Sequence, residues 1–291
     1  MELSEHHSIS DIREIVASGE HVSLSTSAIE EIEKCHTYLL DKVAQHGPPI
    51  YGVNTGFGSL CNTEIESKDL SQLQINLIRS HACGAGAYVP ADVIKLMLLL
   101  KAQSLSYGHS GVQLATVEKL LEFYNNDTLP VVYELGSLGA SGDLAPLSHL
   151  ALPLIGEGEV WDKKSQNLSS SLSLNSVTYS NKMKSEQSDL KLGPKEGLAL
   201  INGTQFMQAY GLKCLFKAKD ILIRADQSAA MCIDAYDGRK EPFLAYSHQI
   251  RPHQGQLQTA SNILAYLEGS EILNQEKVHV QDPYSLRCVP Q

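Results

Sequence analysis

The chain has 291 residues, of which 43% are hydrophobic and 19% are charged, and its formal net charge is −10. This length and composition predict a globular protein with a substantial core, and the acidic balance excludes a nucleic-acid-binding surface. No apolar run approaches the roughly 20 residues of a membrane-spanning helix, and we expect no signal peptide. The six cysteines lack paired spacing, which indicates free, buried thiols in a reducing cytoplasm and no metal site.

The first 125 residues read as helices separated by turns that are rich in glycine and proline. Ser27 and Glu30 fit a capping box at the start of one helix, and residues 47–49 (Gly-Pro-Pro) would end it. Residues 91–106 are apolar on nearly every side, which predicts a buried helix. The apolar positions of residues 114–124 recur at helical spacing and predict another amphipathic helix.

A loop of small residues, Gly-Ser-Leu-Gly-Ala-Ser-Gly-Asp-Leu-Ala-Pro, occupies residues 136–146. Glycines allow tight turns in which the Gly142 amide nitrogen approaches the Ala140 carbonyl carbon. Cyclisation there, with loss of water and of the Ser141 hydroxyl, would create an electrophilic methylene on a five-membered ring. Such a loop is also typical of a plain turn or of an anion site at a helix N-terminus. A P-loop lysine is absent, and Asp143 replaces the last glycine of a nucleophile elbow.

The second half of the chain contains the strongest architectural signal. No proline occurs between Pro194 and Pro242, and small or apolar residues recur there at three- and four-residue spacing. This pattern predicts a helix of about 30 residues, roughly 45 Å long, of the kind that packs in bundles. The fold class is therefore predicted to be all-α with little strand, and residues 131–133 are the best strand candidate.

Two regions are expected on this basis. Residues 1–190 would form an N-terminal helical region that carries the small-residue loop, and residues 191–291 the start of a central bundle of long helices. Residues 163–189 contain nine serines, and this composition is typical of an exposed loop.

Four further segments accompany the Ala140-Ser141-Gly142 loop in the expected order: Tyr51–Gly58, Ser80–Gly84, Asn202–Thr204 and Gln281–Arg287. Together the five motifs resemble the aromatic amino acid ammonia-lyase family, over residues 27–291. The resemblance implies that Ala140-Ser141-Gly142 becomes 4-methylidene-imidazol-5-one and that no external cofactor is needed. It also implies elimination of ammonia from an amino acid and an all-α fold whose long helices assemble into a homotetramer.

The resemblance also assigns roles outside the loop. Tyr51 would be the catalytic base and Tyr284 a further catalytic residue, while Asn202 would hold the prosthetic group or the substrate. Arg287 would clamp the substrate carboxylate with a planar fork. Gln281, Tyr284 and Arg287 are spaced i, i+3, so we expect one helical face to present all three. Outside this family, Tyr51 would be read as a packed turn aromatic and Asn202 as a helix N-cap.

The pair Ser80-His81 predicts the substrate. It resembles the histidine-directed branch of the family, in which His81 would hydrogen-bond the substrate imidazole and L-histidine would give trans-urocanate. A tyrosine or phenylalanine ammonia-lyase, or an aminomutase, is the alternative. The sequence leaves open whether the electrophile engages the amine or the ring.

The resemblance further implies a longer protein. Family members continue past Gln291 and supply a Phe and a Glu to the substrate pocket, so the chain is expected to be C-terminally truncated, with an inactive fragment as the alternative. His248 and His253 flank Arg251-Pro252, and the proline argues against a helical pair of metal ligands.

Overall fold

The computed structural model describes residues 1–3, 6–45, 48–138, 141–162, 166–168, 177–179, 182–185 and 188–291. Ala140 and most of the serine-rich segment 163–189 lie outside the described residues.

The described part of the chain is mostly helical, which confirms the predicted fold class. The helices are α1 (Ile9–Ser18), α2 (Thr26–Ala44), α3 (Leu70–His81), α4 (Ala91–Ser106), α5 (Leu114–Asn125), α6 (Leu144–Ala151), α7 (Glu196–Ile201), α8 (Gln205–Ala235), α9 (Ala245–Gln249), α10 (Gln254–Tyr266) and α11 (Tyr284–Arg287). Helices α4 and α5 and the 31-residue α8 confirm three of the predicted elements.

The strands are short and form two-stranded pairs. β1 (Glu2–Leu3) is parallel to β2 (Ser23–Leu24), and the antiparallel pairs are β3 (Ala85–Tyr88) with β4 (Tyr133–Leu135), β5 (Glu159–Trp161) with β8 (Lys182–Lys184), and β6 (Gln166–Leu168) with β7 (Val177–Tyr179). The strand expected at residues 131–133 begins only at Tyr133. The two preceding residues make single backbone hydrogen bonds instead, from Val131 N to Glu159 O and from Val89 N to Val132 O.

The core of the first half is built around α4. This helix is buried along nearly its whole length, and α5 and α2 pack against it. Continuous apolar sequence with helical length is what a helix covered on all sides requires. Lys101 is the exception in composition, because it is a charged residue with only 1% of its surface exposed.

The predicted capping box at Ser27 and Glu30 is wrong. Ser25 is the N-cap of α2, and its hydroxyl accepts from the Ala28 amide at 3.2 Å. Several neighbouring hydroxyl residues compete for this role, and the pairing of β1 with β2 fixes the chain just before Ser25. The cap is therefore selected by a tertiary contact that the local sequence does not show.

The chain folds as two compact units, Met1–Lys213 and Cys214–Gln291. The second unit has its own small core, formed by apolar residues of α8, α10 and the turn between them: Ala230, Ile233, Phe243, Ala260, Ile263 and Leu267. The boundary between the units falls inside α8. The expected regions 1–190 and 191–291 describe a different division and stay a prediction.

All six cysteines are free, but the expectation that they are buried is wrong. Cys61, Cys83, Cys214 and Cys232 are exposed, and Cys35 and Cys288 are partly buried. Cys214 and Cys232 lie on α8, where helical spacing identifies a face but does not say whether this chain itself covers it.

Among the described residues, no helix combines the length and the hydropathy needed to cross a bilayer. In the same residues, no three His, Cys, Asp or Glu side chains cluster closely enough to hold a metal ion. The buried His248 uses both ring nitrogens inside the protein, Nε2 at 2.9 Å from Pro242 O and Nδ1 at 2.8 Å from the Gln256 side chain.

Candidate functional site

Three short helices of the first unit place most of its candidate residues. α3 ends at His81, α6 begins directly after Asp143, and α7 ends directly before Asn202. Each of these helices packs against the other two. Their ends therefore bring the segments around Ser141, His81 and Asn202 into one region of the fold.

The closest contact in this region joins two glycines. Gly142 forms an isolated parallel bridge with Gly203, and the Asp143 amide donates to Gly203 O at 2.9 Å. Gly142 has φ +89°, and a Cβ added there would lie only 2.2 Å from Gly203 O. Only glycine fits this position, because any side chain would push the two backbones apart.

Asp143 is a buried carboxylate that ties three parts of the chain together. Its Oδ1 accepts from the Ser137 hydroxyl at 2.7 Å, and its Oδ2 accepts from the Met207 amide at 3.0 Å. It is the N-cap residue of α6 but makes no side-chain cap there. Met207 is in the first turn of α8, so the carboxylate instead satisfies one of that helix's unpaired amides.

Asn202 lies at the end of a helix and not at a helix start, which its alternative reading as an N-cap requires. It is the C-cap of α7, and both its backbone amide and its Nδ2 donate to Leu198 O, at 3.0 and 3.1 Å. The N-cap reading is therefore wrong, since α7 stops here and α8 starts only at Gln205. The next residue, Gly203, has φ +134°, and a Cβ on it would meet Gln205 Oε1 at 2.3 Å.

Lys101 holds the residue that precedes Gly203, and sequence reasoning did not assign this lysine to the site. Its ammonium donates to Asn202 O at 2.7 Å and to Ala199 O at 3.1 Å. Burial lowers the pKa of Lys101 to about 7, although the nearby Asp143 carboxylate acts in the opposite direction. A lysine inside a helix predicted to be buried on all sides was the signal that could have found it.

Tyr51 lies in the glycine-punctuated turn and is 55% exposed. Its hydroxyl is 3.4 Å from the Gly58 amide, which donates to it, and its ring meets the Phe57 ring edge-on. These are the contacts of a turn aromatic. Within the described residues, no hydrogen bond joins Tyr51 to Ser141 or Gly142.

Gln74 connects the Tyr51 turn to α7, and sequence reasoning missed it. Its buried side chain donates to Gly52 O at 3.4 Å and accepts from the Leu198 amide at 3.1 Å. A Cβ on Gly52 would lie 2.3 Å from the Leu198 side chain, so the turn is packed tightly onto α7. A glutamine in an amphipathic helix carries no sequence signal that would mark this role.

His81 is partly buried at the end of α3. Its Nδ1 lies 2.9 Å from Leu77 O and 3.0 Å from the Ser80 hydroxyl. A carbonyl oxygen only accepts, so this contact assigns the proton of a neutral imidazole to Nδ1 and leaves Nε2 as an acceptor.

The residues after His81 are held by α6. The Gly84 amide donates to His149 Nε2 at 2.9 Å, and a Cβ on Gly84 would lie 3.1 Å from the His149 ring. Burial lowers the pKa of His149, which favours the neutral form that this hydrogen bond requires. A Cβ on Gly136 would in turn lie 3.2 Å from Gly84 Cα, so the start of the small-residue loop also touches this segment.

The remaining candidates belong to the second unit. α11 contains Tyr284 and Arg287, but Gln281 precedes its N-cap, Pro283. The expected single helical face is therefore wrong for Gln281, because the proline delays the start of the helix. The Arg287 guanidinium carbon lies 4.1 Å from the centre of the Tyr284 ring, and its Nε donates to Asp282 O at 3.0 Å.

Gln281 and Arg287 also line an open cavity of about 470 Å³ within this unit. Asp282, behind them, is buried and accepts from the Arg239 amide at 2.7 Å, and its other oxygen lies 2.5 Å from His279 Nε2. Its contacts hold the backbone that orients Arg287.

Comparisons with known proteins agree with the five motifs. A family model described as aromatic amino acid lyase matches residues 7–291. The histidine ammonia-lyase of Deinococcus radiodurans is 45% identical over 284 residues, which are 95% of this chain and 52% of that protein. The solved structure of histidine ammonia-lyase from Trypanosoma cruzi is 32% identical, with a TM-score of 0.78, and the match covers 98% of this chain and 51% of that one.

A second solved structure, tyrosine aminomutase from Streptomyces globisporus, is 29% identical with a TM-score of 0.84, over 100% of this chain and 57% of that one. The chain thus spans about half the length of the curated relatives that it matches. The family model covers all but the first six residues. On this match, the chain belongs to the aromatic amino acid lyase family.

Proposed function

We propose that the chain carries the prosthetic-group loop of a histidine ammonia-lyase, which eliminates ammonia from L-histidine to give trans-urocanate. The observation that carries the proposal is the contact with Gly203 of Gly142, the last residue of the Ala-Ser-Gly sequence. The name histidine ammonia-lyase, shared by relatives at 41% and 45% identity, supports the choice of substrate.

The residues that are described fit the proposed group. Ser141 is exposed, and the Gly142 Cα is pressed onto Gly203 O, which leaves no room for a side chain. In the proposed cyclisation, the Gly142 nitrogen bonds to the Ala140 carbonyl carbon. The oxygen of that carbonyl leaves as water with the amide hydrogens of Gly142 and Ser141, and a C=N bond to the Ser141 nitrogen remains. Ser141 loses its hydroxyl and its Cα hydrogen as a second water. The resulting 4-methylidene-imidazol-5-one would supply an electrophilic methylene carbon, with no external cofactor.

The other roles follow from chemistry that the side chains can perform. Tyr51 would remove the substrate proton with its phenol oxygen, which accepts a hydrogen bond from the Gly58 amide. Tyr284 would be a second proton-transfer residue. Arg287, with its Nε held by Asp282 O, would bind the substrate carboxylate, assisted by Gln281.

Two residues would contact the substrate or the group through neutral donors and acceptors. His81 Nε2 would accept from the imidazole N–H of the substrate, because its Nδ1 is engaged by Leu77 O. The Asn202 side chain would hold the prosthetic group or the polar end of the substrate.

We further propose a cytoplasmic homotetramer. Exposed apolar side chains on α8 support the assembly, among them Ile221, Leu222 and Met231 at 65%, 66% and 73% exposure. Six free cysteines are consistent with a reducing compartment. In this proposal, residues 191–291 begin a central helical bundle and residues 1–190 carry the loop.

The second candidate is an aminomutase, favoured by the TM-score of 0.84 to the Streptomyces tyrosine aminomutase. An aminomutase returns a β-amino acid, whereas a lyase releases ammonia and an unsaturated acid. Product analysis with L-histidine, L-tyrosine and L-phenylalanine separates the two activities.

The proposed function is tested by intact mass spectrometry of the purified chain together with its Ser141→Ala variant. We expect the wild-type chain to be lighter than its sequence by two waters, with the loss located in the peptide that contains Ser141 and Gly142. The alanine variant has no hydroxyl to lose and keeps at least that water. An unmodified wild-type mass, or turnover of tyrosine in preference to histidine, would contradict the proposal.

A further inference from the structure

Lys101 is a buried ionisable side chain that the proposed reaction does not use. Its exposed fraction is 1%, on the helix with the most continuous burial in the first unit. A buried ammonium is disfavoured by desolvation, and an apolar side chain of similar length would normally be the more stable choice in such a core. A function that depends on its hydrogen bonds accounts for the lysine.

Those hydrogen bonds end at the glycine contact of the loop. The ammonium donates to the carbonyls of Ala199 and Asn202, at the C-terminal end of α7, where helix carbonyls lack partners within the helix. The next residue, Gly203, carries the oxygen that accepts from the Asp143 amide. Fixing the Asn202 carbonyl therefore fixes the position of Gly203 against Gly142.

The opposite side of the same contact is held by Asp143. Its carboxylate accepts from Ser137, which precedes the Ala-Ser-Gly sequence, and from Met207, which follows Gly203. The charge of this carboxylate favours the protonated form of Lys101, against the effect of burial on its pKa. Two buried groups thus hold the two sides of one backbone contact. Lys101 donates to the carbonyl of Asn202, which precedes Gly203, and the Asp143 carboxylate follows Gly142 in the chain.

We infer that Lys101 is a positioning residue for cyclisation of the loop, since its ammonium holds Asn202 so that Gly203 stays pressed against Gly142. This inference rests on the proposed function. The close contact of Gly142 with Gly203 O limits the conformations of the Gly142 amide nitrogen. Such restriction accelerates a reaction between neighbouring groups. Lys101 touches neither the reacting atoms nor the substrate.

The test compares three variants of the chain with the wild type. Lys101→Met removes both donors and the charge at nearly constant length, Lys101→Arg keeps a cation with N–H donors, and Lys95→Met is the matched control. Lys95 lies on the same helix, but its ammonium pairs with Asp127, away from the loop. For each protein, intact mass spectrometry follows the loss of two waters with time, hydrogen exchange reports the Asp143 amide, and thermal unfolding reports stability.

We expect the methionine variant to fold and to cyclise about tenfold more slowly or worse, because it loses two hydrogen bonds from a charged donor and each is worth roughly a factor of ten or more. Its Asp143 amide should exchange faster, the arginine variant should recover part of the cyclisation rate, and the Lys95→Met control should match the wild type. A methionine variant that cyclises at the wild-type rate overturns the inference. The inference is also overturned if the methionine and arginine variants show the same loss of cyclisation rate as each other and the same loss of unfolding temperature. An unmodified wild-type chain would instead refute the proposed function, and the inference with it.

Discussion

At the scale of single residues, the site depends on what is absent as much as on what is present. The missing Cβ of Gly142 lets its backbone approach that of Gly203, and the missing Cβ of Gly203 leaves room for the Gln205 side chain, since a Cβ at either glycine would lie within 2.3 Å of another atom. Such contacts are made by glycine alone, and they set the position of the neighbouring reactive residues. His81, the proposed substrate-binding residue, would act differently, through its Nε2, because Leu77 O engages its Nδ1.

The role of His81 predicts a change of specificity. We expect His81→Leu to lower kcat/KM for L-histidine by about 10- to 100-fold, because a substrate N–H would lose its acceptor in a desolvated pocket. Turnover of L-tyrosine, which has no imidazole, should fall much less. Steady-state kinetics on both substrates checks this, and equal losses on the two would contradict the assignment of His81.

At the scale of elements, helices were predictable where their own sequence determines them. Residues 91–106 and the segment free of proline after Pro194 form helices of the expected length, because periodicity and composition are local properties. The five motifs were likewise recognisable from the amino-acid sequence alone. The exclusion of Gln281 from α11 could be read from Pro283, which the expectation of one helical face overlooked. The N-cap of α2 and the C-cap role of Asn202 instead depend on contacts with other parts of the chain. Local sequence does not specify which of several competent residues the tertiary structure selects.

The contact between α6 and the segment that follows α3 predicts a pH effect. Burial lowers the pKa of His149, and its neutral Nε2 accepts from the Gly84 amide. The unfolded chain therefore binds this proton at higher pH than the folded chain does, and stability is lost as pH falls from the ordinary value of 6.5 toward the lowered pKa.

We expect His149→Gln to reduce this acid-induced loss, because glutamine keeps an acceptor and does not titrate. Urea unfolding of both proteins, at a pH above 6.5 and at several values below it, measures the difference. Other groups titrate in both proteins, so the difference reports His149. Parallel stability curves for the two proteins would exclude the proposed linkage.

At the scale of the whole molecule, α8 carries more large apolar side chains than the described part of the chain buries. Phe216 and Ile233 are buried, but Ile221, Leu222 and Met231 are more than half exposed. In the proposed tetramer, another copy would cover these large apolar side chains. Burial of each would contribute about 1.5–3 kcal/mol to assembly.

The exposure of Leu222 on α8 predicts how the proposed assembly responds to an added charge. Leu222→Glu should shift the proposed tetramer toward smaller species, because an unpaired carboxylate at a packed interface is strongly disfavoured. Gln72→Glu adds the same charge at an exposed polar position of α3, outside α8, and is the control, expected to assemble normally. Sedimentation velocity over a range of concentrations measures both. An unchanged assembly in the leucine variant would mean that the Leu222 side of α8 does not lie between subunits, and Leu222 would then need another partner.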